Sequence, residues 1–171
     1  EGGTLLRAVR QFASTREVGG LVRITELFIK EEQHHAALMG TFMDHHGIPR
    51  KQKDWTDGVF RFVRKLAGYE LCLHVLVAAE LIGNVYYRAL EAATGCQHLR
   101  VLCRMLVADE LAHIGFESDV LLALRARRPP SVCWAQGAAH RLFLGGAAVV
   151  VWYTHRPVLR RAGYGLRSFL R

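Results

Sequence analysis

Apolar residues recur at helical spacing along most of the chain, and no stretch alternates in the manner of a strand. Residues 1–15 read as a helix already running, with Glu1, Leu5, Ala8, Val9 and Phe12 on one face, and Gly19-Gly20 break it. A second helix is predicted from Leu21 to His46, with Leu21, Ile24, Phe28, Met39 and Phe42 turned inward. It stops at His45-His46-Gly47-Ile48-Pro49, where Gly and Pro are the stop signals and a cationic His suits the helix C-terminus. A basic linker follows over 50–56, then a short amphipathic segment through Leu66 that Thr56 or Asp57 can N-cap. A long helix over Tyr69–Ala93 presents Tyr69, Leu73, Leu76, Val77, Glu80, Asn84 and Tyr87 on one side, with Gly95 as its stop. The next, Gln97–Arg127, presents Leu99, Leu102, Cys103, Leu106, Glu110, His113, Glu117 and Leu121, and Pro129-Pro130 end it.

The last segment, Val132–Leu159, differs from the others. Leu142–Tyr153 carries no charge, and with His140-Arg141 on one side and His155-Arg156 on the other it reads as too short to span a bilayer. It is either a helix packed on the bundle or an interfacial segment. The pattern as a whole predicts an all-α chain in two parts. Residues 1–128 form an antiparallel four-helix bundle with a short connector helix. Residues 129–171 form an apolar, Arg-rich C-terminal helix and tail, packed on the bundle or on a membrane surface.

Composition adds limits. A chain of 171 residues that is 51% hydrophobic is long and apolar enough for one sizeable core, and is not wholly disordered. Its net charge of +8 is local, because every charged side chain from Arg125 onward is an arginine. Only Tyr164 and Phe169 interleave the final arginines, so specific nucleic-acid reading is not indicated. Beside an apolar run, anionic lipid is the better match, and a merely solvated tail is the plain alternative. Cys72, Cys96, Cys103 and Cys133 have no C-x-x-C or C-x-x-H spacing, which argues for a reducing, cytoplasmic setting; whether the C-terminal segment adds membrane association stays open. No signal-peptide pattern is present, and a start in mid-helix without Met leads us to expect a preceding segment.

The candidate chemistry lies on the inward faces. Glu32-x-x-His35 and Glu110-x-x-His113 each place a carboxylate and an imidazole three residues apart, hence as helical neighbours. Charged groups on an apolar face are costly unless paired or bound to metal. Glu1 and Glu80 lie in register with the same apolar stripes, 31 residues before Glu32 and 30 before Glu110. That is the length of half a helix, a turn and half a helix back. Four carboxylates and two imidazoles suit iron or manganese better than structural zinc. Glu31 and Asp109 directly precede the two motif glutamates, and we expect Asp109 to orient His35 and Glu31 to orient His113. The plain alternative for each motif is an i,i+3 surface pair. Glu31 with His34 is a competing register, but Glu32 with His35 matches Phe28, Met39 and Phe42. Glu70 and His74 are expected to pair on a polar face.

The sequences EEQHH (Glu31–His35) and DELAH (Asp109–His113) resemble the paired E-x-x-H signatures of the ferritin-like di-iron superfamily, which includes ferritins, rubrerythrins, ribonucleotide reductase small subunits and di-iron hydroxylases. The resemblance spans roughly residues 1–125. It implies two iron ions (or manganese, or a mixed pair) held by Glu1, Glu32, His35, Glu80, Glu110 and His113. Glu117, one further turn along, is then an additional ligand, an iron-entry acid or a supporting acid, or simply a buried acid bonded to another helix. Tyr87 is a hydrogen-bond partner, a redox-active phenol or a plain core residue. The implied function is a di-iron oxidoreductase or oxygenase acting on dioxygen and a small-molecule substrate, with a homodimer as a compatible assembly. The alternatives are a ferroxidase or iron-binding protein without organic substrate, and a non-catalytic helical bundle that docks on a membrane or partner. The basic, apolar C-terminal segment departs from ferritins and argues against an iron-storage shell.

Overall fold

A computed structural model describes residues 2–14, 19–50 and 68–170. Glu1 and the predicted connector helix before Leu66 lie outside the described residues. Among those described there are six helices and no strand: α1 (Gly2–Ser14), α2 (Gly19–His45), α3 (Tyr69–Ala93), α4 (Gln97–Arg125), α5 (Pro130–Arg161) and α6 (Leu166–Phe169). The all-α class is therefore observed. Two compact units form, residues 1–75 and residues 76–171, and the division falls inside α3. It does not coincide with the change in composition at 128/129.

In the first unit α1 packs on α2. Leu5 and Val9 of α1 are buried, as are Leu21 and Phe28 of α2. Phe12 stacks at a tilt on Tyr69, ring centroids 5.3 Å apart. Arg10 joins the two helices at the surface through Glu26, at 3.2 Å. Ile24, predicted inward, is instead 44% exposed, because the buried stripe of α2 runs through Leu21, Thr25 and Phe28. Thr25 is tolerated there because its hydroxyl donates to the Leu21 carbonyl at 2.8 Å. The end of α2 is the predicted one. Gly47 adopts φ +63°, the Ile48 N–H bonds the Met43 carbonyl and the Gly47 N–H bonds the Asp44 carbonyl. That is a Schellman cap, which needs a residue free of left-handed strain.

In the second unit α3 and α4 form a hairpin through Thr94-Gly95-Cys96. The Thr94 hydroxyl accepts the Cys96 N–H, and the Thr94 carbonyl accepts Arg100 Nε, both at 3.1 Å. Cys103, Leu106, Leu121 and Leu124 form the buried stripe of α4. The other side of α3 belongs to a second cluster, in which Ile82 and Ala89 meet Ala148, Trp152 and Leu159 of α5 and Phe169 of α6.

The C-terminal segment corrects one expectation. The charge-free run is part of a 32-residue helix, and that helix is long and apolar enough to cross a membrane by length and composition, with only 17% of its most apolar stretch buried. The helix extends past Arg141 and His155 because single charged side chains do not end a helix. Pro157 lies inside α5 and withdraws one backbone donor there. The helix ends instead at Gly163, φ +86°, again as a Schellman cap with Tyr164 N–H on the Leu159 carbonyl. This reversal allows the unpredicted α6 to fold back on α5. Trp152 Nε1 donates to the Tyr164 carbonyl at 3.5 Å, and Arg160 lies over the Trp152 ring.

Candidate metal centre

Helical spacing delivers the sequence-predicted groups in two sets, one in each unit. In the second unit, Glu80 comes from α3, and Glu110 and His113 from α4. One donor atom from each lies within 4.8 Å of the others. All three residues are buried, at 5%, 4% and 5% exposure. Such burial is expensive for carboxylates and argues for a common counter-charge. Glu110 Oε2 and His113 Nδ1 stand 3.5 Å apart along one turn of α4.

In the first unit, the other motif repeats this geometry. His35 Nδ1 lies 3.2 Å from Glu32 Oε1. With the proton on Nδ1 it donates a hydrogen bond to that oxygen. The two halves differ in solvent access: the Glu32 side chain is 39% exposed, that of Glu110 only 5%. Donor atoms that each lie about 2.1 Å from one ion stand roughly 3–3.5 Å apart, so both Glu–His pairs have a spacing that an ion can bridge. The donor set is carboxylate oxygen and imidazole nitrogen without thiolate, a set that could hold a divalent metal ion.

The helix pair that carries the second set is pinned at one point. Asn84, one turn after Glu80, donates from Nδ2 to the Val107 carbonyl at 3.1 Å, three residues before Glu110. Arg88 Nε in turn donates to Asn84 Oδ1 at 2.9 Å. This bond fixes the longitudinal register of α3 on α4, and with it the height of Glu80 beside Glu110. The sequence placed Asn84 on the inward face but gave it no role. The signal was there: a primary amide on an apolar stripe needs a partner.

The remaining predicted residues are distributed as follows. Glu117 is fully buried, two turns beyond Glu110 on the same stripe, and lies outside the three-residue cluster. Tyr87 is half-buried beside Tyr86, centroids 6.0 Å apart. Asp109 is half-buried and Glu31 exposed, one on α4 and one on α2. The ring nitrogens of His74 are shielded from solvent, so the face that it shares with Glu70 is half-buried where a polar face was expected. Burial raises the Tyr86 phenol, as does, to a smaller extent, neighbouring Cys103. Burial pushes the Cys103 thiol up to about 11, with Glu91 adding to it. No protein-family model matches the chain, and no curated protein or solved structure matches it.

Proposed function

We propose that the protein is a di-iron carboxylate oxidoreductase, in which Glu80, Glu110 and His113 serve a centre for dioxygen activation and Glu32 with His35 supplies a second Glu–His donor pair. The observation that carries this reading is the convergence of Glu80, Glu110 and His113, buried with donor atoms within 4.8 Å of one another. It is joined by a second Glu–His pair of the same spacing on α2. A bound metal pair supplies one-electron and dioxygen chemistry that none of these side chains can perform. The chain's own contribution is to hold, orient and shield. Glu110 and Glu80 present carboxylates whose charge a cation offsets, and His35 and His113 present neutral imidazole nitrogens. Leu106 and Cys103, both without exposure on α4, keep water from the stripe that carries Glu110.

The test is iron content and the absorption spectrum of protein produced with iron. About two iron ions per chain and an oxo-bridged spectrum are expected, and fewer iron ions than chains in a folded preparation would sink the reading. Fe(II) oxidation without organic substrate separates a ferroxidase from an oxygenase. A membrane role is a second reading, favoured by the exposed face of α5. Trp134 and Leu142 are 74% and 78% exposed there, and Tyr153 57%. Arginines lie beyond both ends of the apolar run. Co-sedimentation with anionic vesicles, lost on Leu142→Glu, tests it.

A further inference from the structure

A cavity of about 350 Å³ lies in the second unit between α3, α5 and α6. Ile82 and Val85 line it from α3, Leu144 and Ala148 from α5, and Phe169 from α6. At 3.6 residues per turn, Ile82 and Val85 lie on the side of α3 away from Glu80 and Asn84, so the cavity is separate from the candidate metal centre. Its wall is apolar apart from Arg141. Arg141 is exposed, which puts its guanidinium at the mouth, and among the described residues it enters no ion pair or side-chain hydrogen bond. Arg141 stands directly before the charge-free run Leu142–Tyr153, so its cation borders the apolar wall. The volume is at the small end of the range, about 300–1,000 Å³, in which ligands are enclosed. It has room for one alkyl chain and not for the paired chains of a phospholipid.

We propose that this cavity binds a free single-chain carboxylate of the fatty-acid type, its alkyl chain among Ile82, Val85, Leu144, Ala148 and Phe169 and its carboxylate on the Arg141 guanidinium. An arginine fork matches a carboxylate in a bidentate manner. Gly145, which also lines the cavity, leaves it open: a Cβ placed there meets nothing within 4 Å. The proposal does not depend on the metal reading.

The full chain is titrated with decanoate below its micellar range by calorimetry, with decanol and phosphatidylglycerol vesicles as parallel arms. Saturable binding of one decanoate per chain is expected, tighter than decanol. Arg141→Gln, a change at an exposed side chain, should weaken decanoate about tenfold or more and leave decanol unchanged. Gly145→Leu fills the cavity from inside a helix. It should abolish binding of both ligands without lowering the unfolding temperature, since leucine favours helix over glycine. Decanoate binding that survives Arg141→Gln at full strength overturns the proposal. So does vesicle binding without any binding of monomeric decanoate, an outcome that would point to a bilayer surface instead.

Discussion

If Glu80 and Glu110 are arranged for a cation, the metal-free protein carries their repulsion as a cost, and removing one charge should stabilise it. Glu110→Gln keeps shape and removes charge. Two carboxylates with donor atoms within 4.8 Å, at an effective dielectric near 20, repel by about 3 kcal/mol or more. Part of this is lost because a glutamine also forfeits the contact of the Glu110 carboxylate with the His113 ring, so a net gain of about 1–3 kcal/mol is expected. For a chain of this size that is a rise of roughly 2–10 °C in unfolding temperature. The metal-bound state should respond in the opposite sense. A cation at a hundredfold excess over its dissociation constant stabilises the native wild type by about 2.7 kcal/mol, and a variant that lacks a ligand loses most of this. The assay is thermal unfolding by circular dichroism, first in chelator, then with excess Mn(II) or anaerobic Fe(II). Glu110→Gln should unfold above wild type in chelator and below it with metal. A variant that unfolds lower in chelator and keeps the full metal-induced rise refutes the reasoning.

Other positions give independent checks. Asn84→Leu removes the bond to the Val107 carbonyl and leaves that acceptor and Arg88 unsatisfied, at a cost of about 1–3 kcal/mol in denaturant unfolding, with weakened metal affinity as a second readout. Gly163→Ala forces a side chain into φ +86° and should cost about 1–2 kcal/mol, with Trp152 fluorescence shifting as α6 loosens. Native protein at pH 8 should be alkylated at Cys96 and Cys133 but not at buried Cys72 and Cys103, the full set reacting only in denaturant; mass spectrometry reads the sites. The Cys103 thiol rises from 9.0 to about 11 in the fold, so the native state loses stability as pH climbs from 9 to 11; Cys103→Ser, which has no thiol to ionise, should flatten this part of the stability curve in denaturant unfolding at stepped pH.

The sequence alone determined α1 to α5, because each signal was local. Periodicity marked Tyr69–Ala93 to the residue, Gly47 ended α2 through its φ, and Pro129-Pro130 separated α4 from α5. It also singled out Glu80, Glu110 and His113, since a charged side chain on an apolar stripe is visible without coordinates. What it could not supply were the quantities that depend on two elements at once. Only tertiary packing set α3 against α4 so that Asn84 reaches Val107 and the three donors come within 4.8 Å. Only packing buried Thr25 while leaving Ile24 exposed. The fold-back of α6 over α5, and with it the cavity beneath Arg141, depends on the Gly163 reversal and on Phe169 joining Trp152 in one cluster. The pattern of residues states which side chains want to be inside, and the inter-helix distances decide which of them meet.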